Sequence, residues 1–506
     1  MDKETRNVDV CVLGGAGAGL TAALRAKEEG AESVLLLEKM KILGGCTRLA
    51  QEMFAVGTPI HERTGTKTDV DECYLQHMRQ SLWRPNSRLV RKWYTNIGKV
   101  VAWQEAHGIE YEESVRAGSG TTKAMIDPKG GGNAIINTME KAARAAGVEI
   151  MLNTRAYKLL TDEGGAVTGV LAKQGENEIQ VNAKSVIVAT GSISNNKELL
   201  DRMYPGEDYH LIKRMAAVPH NTGDGLIMCE EIGCKPGPMH TLYIGPHNHP
   251  SNMRVGNIMR RYMMIYVNRE GERFVNEAIP ATEDWGWMKS VAQDRQPGHK
   301  CYPLMDESIF RRMLKEHCNY TRIEEKQGSM AAQNMLANYG KNKSWDEGLA
   351  PDSTSWLDML EDDFREEEKK GKLKICQTLD EVAEWIGADP KTLKQTVRTY
   401  NEFCEKGYDA DFLKDPRYLW PLTTPPYYVF EGQQGIDTCI GGITIDHNTR
   451  VLNKELRPIK NLYAAGACTS GWANNAYGFF GSCMSLSFFS GWYAGREAAL
   501  NARKNE

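Results

Sequence analysis

No CxxC pair, no CxxCH haem-attachment motif and no zinc-ligand spacing occur among the 12 cysteines, which are scattered from Cys11 to Cys483. That spacing excludes a disulfide framework, a structural zinc site and an attached haem, and leaves thiols of a reducing compartment. A long uninterrupted apolar run is also missing. The nearest to one, Phe479 to Trp492, is broken by serines and glycines and suits a buried helix rather than a membrane span. The first seven residues contain no apolar secretion segment, so a cytoplasmic location is expected. Charge of one sign is not in excess: Lys and Arg total 62 against 66 Asp and Glu. Such a surface gives no reason to expect nucleic acid or an acidic membrane as partner, and chemistry on a small molecule remains.

A chain of 506 residues exceeds the usual single core, which implies two domains. Val8 to Leu13 is a short apolar run, followed by glycines, by a helical pattern over Leu20 to Glu29 and by a second buried strand at Val34 to Leu37. This is a βαβ unit at the N-terminus. Further on, a helix is expected over Ala134 to Ala146, ended by Gly147, and a strand over Val148 to Asn153. A hairpin over Val167 to Lys173 and Glu178 to Asn182 should lead to a separate buried strand, Ser185 to Ala189. A helix follows Asp224-Gly225, and the stretch Pro236 to Pro250, with four prolines and three histidines, suits a crossing between domains. The charge run Glu361 to Lys372 reads as a solvated helix face.

Gly14-Gly15-Ala16-Gly17-Ala18-Gly19 lies between the first strand and helix, where backbone N–H groups and the helix N-terminus can face a pyrophosphate. Ala16 departs from a strict GxGxxG, adding a methyl where close approach to phosphate matters. Glu38 closes the second strand, 24 positions after Gly14, where a carboxylate accepts hydrogen bonds from ribose hydroxyls. Loop and acid together define a dinucleotide site.

Later motifs specify which dinucleotide. Gly44-Gly45-Cys46-Thr47 with Ala50, Ala189-Thr190-Gly191, Thr222-Gly223-Asp224-Gly225, the segment Val267 to Glu277, Gly441-Gly442 with Asp446, and Leu462 to Gly466 follow in order along the chain. In these the chain resembles, nearly end to end, the flavoprotein subunit family of fumarate reductases and succinate dehydrogenases, which also contains the 3-ketosteroid Δ1-dehydrogenases. The resemblance implies an α/β fold: a Rossmann-like FAD-binding domain, residues 1–243 and 434–506, interrupted by an α+β substrate-capping domain, residues 244–433. It implies FAD beside Gly44 to Ala50, with Lys39, Ala156, Asp224, Gly466, Ala467, Ser482 and Cys483 among the further cofactor contacts. No histidine near Gly44 suggests a covalent flavin link, so the FAD is expected to be non-covalent. Ala467 stands where the family usually places a glutamate.

The same resemblance implies hydride transfer between flavin N5 and a C–C/C=C bond next to an activating group. The histidines and arginines by which the family's dicarboxylate members clamp substrate are replaced here: Thr438 and Gly245 stand at the histidine positions, and the C-terminal arginine position falls in Asn474 to Gly481. That last stretch resembles the ketosteroid enzymes, whose tyrosine and glycine four positions apart hydrogen-bond a ketone oxygen; here they are Tyr477 and Gly481. Two donors on a carbonyl would stabilise enolate-like charge, and the helix starting near Gly481 would bring its positive dipole end toward a reduced flavin. The proton-handling position, four beyond Glu277, holds Ala281. Arg260 stands where fumarate reductases keep a relay arginine, though its partner position is Asn257. Tyr262 ranks first among substitutes, ahead of Tyr243, Glu283 and Asp284. Trp285, Trp287, Trp472, Phe479 and Phe480 could line a flat apolar pocket, each with core packing as the competing reading.

The sequence therefore reads as an FAD oxidoreductase acting on CH–CH/C=C groups, on an apolar ketone such as a steroid or aryl enone. The alternatives are an enoate reductase holding a carboxylate through Arg260 and Arg261, and a non-catalytic flavin carrier. Electrons must come from or go to a partner outside the chain, since no haem, iron–sulfur or second nucleotide motif is present.

Overall fold

The computed structural model describes residues 4–117, 122–203, 213–214, 219–247, 252–279, 292–316, 356–473 and 481–504. β1 (Glu4–Leu13) enters the glycine turn, α1 (Gly17–Glu28) leaves it, and β2 (Val34–Leu37) returns beside β1 in parallel. Val10 to Leu13 and all of β2 are buried, as expected of central parallel strands covered on both faces. Then come α2 (Ser87–Ala106), α3 (Gly131–Ala145), β3 (Glu149–Met151), β4 (Thr154–Thr161), β5 (Val167–Gln174) and β6 (Asn177–Val188). The two strands expected over 178–182 and 185–189 are one. On one edge β6 pairs antiparallel with β5 through Asn182, and on the other it runs parallel to β1 up to Val188.

α4 (Asp224–Glu231) precedes β7 (Pro236–His247). As far as His247 the proline-rich stretch is a strand, and a register shift between Pro236 and Met239 absorbs missing N–H donors. α5 (Met253–Ile258), β8 (Ile265–Val267), β9 (Lys300–Asp306), α6 (Leu360–Lys369), β10 (Leu373–Cys376) and β11 (Tyr427–Phe430) follow. α6 is only partly a solvated face. Its Asp363 is buried in a two-pronged ion pair with Arg254, at 2.5 and 2.7 Å, and Glu367 is fully buried. β12 (Gly432–Thr444), β13 (Arg450–Leu452), β14 (Pro458–Ala464) and α7 (Ser482–Lys504) complete the chain.

Among the described residues the strands form two eight-stranded sheets and one small three-stranded sheet of Met53–Phe54, Lys123–Ile126 and Arg116–Ala117. The first runs β13-β14-β6-β1-β2-β3, with β5 and β4 attached through β6. The second runs from Lys213–Arg214 through β12, β9 and β11 to β10; β7 and Thr469–Ser470 also pair β12, and β8 pairs β9. One apolar core draws on residues 10–239 and 439–502, the other on residues 255–430. β7 and β12, antiparallel to each other, carry the chain between them. α7 lies directly on α1: a side chain at Gly491 or Gly495 would come within 2.3 Å of the Ala18 or Ala22 carbonyl oxygen. Two distant parts of the chain thereby bring both helix N-termini to one place.

Candidate active site

That place is a cavity of about 580 Å³, within the range of small-ligand sites. Its first wall is the βαβ turn, through Gly14, Ala16 and Ala18. Gly14 has φ +102° and donates its N–H to the Leu37 carbonyl at 2.8 Å, pinning the turn to the end of β2. Gly19 lets α1 sit down on this turn: a Cβ there would lie 1.8 Å from the Gly14 carbonyl oxygen. Gly17 likewise packs beneath Thr47 and Phe488, and its N–H donates to Thr47 Oγ1 at 3.1 Å. Ala16 provides no side-chain cap for α1, so first-turn amides remain for an anion. The Ala16 methyl is accommodated by the neighbouring loop. Ala16 bridges Gly44, and a Cβ at Gly45 would come 3.3 Å from the Ala16 methyl, so the bulk gained at one position is given up at the other.

Glu38 borders the cavity at the end of β2. Its Oε2 accepts the Gly15 N–H and its Oε1 the Met40 N–H, each at 2.8 Å. The carboxylate is thereby fixed, with lone pairs left for hydroxyl donors. Lys39 also lines the cavity and is held by the Thr222 hydroxyl at 2.8 Å and by Asp224 at 3.1 Å. Asp224 itself stands behind Lys39 rather than on the cavity wall, and binds Arg155 as well at 2.9 Å. Burial raises the Asp224 carboxyl, but Arg155, Lys39 and the Thr222 hydroxyl outweigh it and leave it below the ordinary range.

Gly45, Cys46, Thr47 and Ala50 form the next wall, with Ala189, Thr190 and Gly191 opposite β1's end. Gly44 lies just behind, its space taken by the Arg48 side chain. Asn221 donates to Cys46 Sγ at 3.1 Å. Gly466 and Ala467 line the cavity at the end of β14, and Gly481 and Cys483 at the start of α7. Gly481 has φ +70°, and a Cβ would lie 2.5 Å from the Phe54 nitrogen, so only glycine lets α7 start against Met53-Phe54. Two further cofactor candidates lie elsewhere. Ala156 is in the first core on β4, and Ser482 faces a separate small space beside His77 and Trp472.

Arg260, from just after α5, reaches the same cavity from the second half of the chain. Tyr262 does not. It is buried edge to face on Tyr418, with ring centroids 5.2 Å apart, so the first-ranked proton donor is packed in the core instead. Arg261 is buried as well, donating to Asn257 at 2.9 Å with its guanidinium 6.0 Å from the Trp356 ring. Trp472 is core, stacked edgewise on Trp93. Tyr477, Phe479, Phe480, Ala281, Glu283, Asp284, Trp285 and Trp287 lie outside the described residues.

The cavity walls also contain residues that the sequence did not single out: Glu52, His220, Asn221, Met484 and Ser487. No motif marks them. They are brought in by the loop after Ala50, the turn before α4 and the first two turns of α7. Among the described residues there is no cluster of three or more His, Cys, Asp or Glu able to hold a metal ion, and no helix long and apolar enough to cross a membrane.

The cradle's chemistry fits FAD: an amide-rich turn for the pyrophosphate, a fixed carboxylate for a ribose, and a cavity whose lining includes the start of α7. The FAD binding domain family matches residues 9–482, and the chain belongs to that family. It is 27% identical to the vinyl phenol reductase of Lactiplantibacillus plantarum, over 97% of this chain and 96% of that protein. The NADH:fumarate oxidoreductase of Klebsiella pneumoniae is 27% identical over 99% of this chain, which spans 48% of that longer protein. In fold, the chain resembles the 3-ketosteroid delta1-dehydrogenase of Sterolibacterium denitrificans, with a TM-score of 0.76, 19% identity, and coverage of 98% and 100%. The family relation expected from the motifs holds. The chain is an FAD-dependent oxidoreductase acting on CH–CH/C=C groups, which sets aside the flavin-carrier reading.

Proposed function

We propose that the chain transfers hydride to or from a C=C bond conjugated to a carbonyl, on an apolar, planar substrate such as an aryl enone or a steroid-like ketone. Bound FAD supplies the two-electron hydride chemistry. Gly14 to Ala18 and Glu38 would hold its pyrophosphate and ribose, and Gly45 to Ala50 would border its ring. The observation that carries the reading is the position of Gly481. It borders the cavity at the start of α7, four positions after Tyr477 in the sequence, so a ketone oxygen there would meet backbone donors and the positive end of a helix. The likeness to a vinyl phenol reductase supports a planar, aryl-conjugated alkene. Electrons reach the protein from an external donor, or leave to an external acceptor.

A second reading, an enoate reductase, is favoured by Arg260, a cation on the cavity wall that could hold a carboxylate. Anaerobic protein loaded with FAD and reduced by dithionite, offered aryl enones, steroid enones, vinyl phenols, acrylate and fumarate, separates the two. Saturated products from the aryl or steroid enones support the first reading, and turnover of vinyl phenols alone would keep the planar aryl alkene but remove the carbonyl from it. Turnover of carboxylates alone, lost in Arg260→Ala, overturns it in favour of the second.

A further inference from the structure

The acid expected four positions after Glu277 is absent, and Tyr262 is packed in the core, yet hydride addition to an alkene needs a proton as well. Glu52 is a carboxyl on the wall of the cavity itself. It lies two residues beyond the loop that borders the cofactor cradle and immediately before Met53-Phe54, the backbone on which Gly481 rests. Glu52 is therefore placed beside the start of α7. Its Oε2 accepts from Arg116 Nη2 at 2.7 Å, which leaves Oε1 available. Arg116 is not Glu52's alone. Asp127, 3% exposed, takes Arg116 Nε at 2.6 Å and Nη2 at 2.7 Å, so two carboxyls share one guanidinium.

A surface glutamate needs no such arrangement. Here a second acid shares the cation, and the first borders the cavity with its side chain 30% exposed. Burial raises the Glu52 carboxyl, Arg116 pulls it back, and the Asp127 charge raises it again, so that it stands above the ordinary glutamate range.

Resting on the C=C reading above, we infer that Glu52 is the proton donor and acceptor of this site, with Arg116 and Asp127 as its positioning residues. With dihydroflavin as reductant, hydride addition at one alkene carbon puts the π-electron pair on its neighbour. A C–H bond forms there as the O–H bond at Glu52 breaks. The carboxylate stays paired with Arg116 and regains a proton from solvent before the next cycle. In the dehydrogenase direction the same carboxylate takes the proton.

The test compares wild type, Glu52→Gln and Glu52→Asp. Infrared difference titration of the apoprotein, wild type minus Glu52→Gln, is expected to show a carboxyl band that titrates above the ordinary glutamate range; titration at or below that range overturns the inference. FAD affinity, read by flavin fluorescence, is expected to stay within about threefold in both variants. With an alkene that wild type reduces, Glu52→Gln is expected to slow reoxidation of the reduced protein about 10²- to 10⁴-fold and to lose the fall in rate at high pH. Glu52→Asp should restore part of both. Unchanged rates and pH profile in Glu52→Gln overturn the inference and leave the C=C reading standing. If wild type reduces no alkene, that reading fails, and the titration still decides whether Glu52 holds a proton. Should Glu52→Gln not fold, Glu52→Asp serves in each comparison, with an altered pH profile expected and an unaltered one overturning the proposal.

Discussion

Removing the charge of Glu277 should destabilise the protein, and removing the charge of Lys414 at the same time should restore much of the loss. Glu277 is fully buried in the second core region and bonds Arg273 at 2.9 and 3.0 Å, while Lys414 Nζ stands 3.3 Å away. Arg273 also pairs with buried Asp409 at 2.9 Å. Two cations thus meet two carboxylates, a balanced quartet. Glu277→Gln keeps the shape, and its amide oxygen can still accept the Tyr266 N–H that Glu277 takes at 3.0 Å. It leaves one buried positive charge uncompensated, a loss of about 3–5 kcal/mol. Glu277→Gln with Lys414→Met retains the neutral Arg273–Asp409 pair and forgoes mainly the Lys414 bond to the Met264 carbonyl at 2.8 Å. Its loss should be about 1–3 kcal/mol. Urea unfolding followed by circular dichroism measures both. A double variant as unstable as the sum of the two single variants would refute charge balance as the reason this quartet persists. The pH sign follows too. Burial raises Glu277, but Arg273 and Lys414 hold it down to about 2, so its stabilisation is present above its ordinary 4.5 and is lost as pH falls from there toward 2.

Gly19→Ala would drive a methyl into the Gly14 carbonyl oxygen and push α1 off the turn; FAD affinity measured by fluorescence should fall about tenfold or more, at a cost of about 1–3 kcal/mol, and unchanged affinity would contradict the cradle. Glu38→Ala removes the acceptors of the Gly15 and Met40 N–H groups; losing bonds to a charged group, at about 1.5–3 kcal/mol each, should weaken FAD binding at least tenfold by calorimetry. His77 is buried, accepting from Tyr94 OH at 2.9 Å and donating to the Trp472 carbonyl at 2.6 Å, and burial pushes it down to about 4 with that carbonyl offsetting only in part. Unfolded chains bind this proton first, so stability should fall by up to about 3 kcal/mol as pH drops from 6.5 to 4. His77→Gln should flatten that part of the unfolding profile, and an unchanged slope would assign the effect to other groups.

The cofactor cradle was legible because its signals are local. β1, the glycine turn, α1 and β2 are contiguous, and Glu38 sits at a fixed offset from Gly14. Arg260 was singled out by its spacing from Asn268, and Cys483 by the family resemblance. Side-chain partners across the chain were not legible. Asp224 belongs to a recognisable TGDG stretch, but its partners Lys39 and Arg155 are 185 and 69 positions away, and nothing local indicates that it faces them rather than the cavity. Tyr262 looked available until Tyr418 covered it. Arg273 and Glu277, in the stretch that most resembles the family, turn out to tie the second region together through Asp409 and Lys414, which no motif connects to them. Glu52 escaped notice because its meaning depends on Arg116 and Asp127, which reach it from a separate strand and loop.

The central claim, a cofactor-loaded cavity that saturates or forms conjugated C=C bonds, is tested most directly by single turnover. Protein loaded with FAD and reduced anaerobically by one equivalent of dithionite is mixed with an aryl enone, a steroid enone, a vinyl phenol or acrylate, while flavin absorbance and product are followed together. The account predicts that at least one alkene restores the oxidised-flavin absorbance and yields one equivalent of its saturated product. Reoxidation by oxygen or a dye alone, with every alkene left intact, would contradict it.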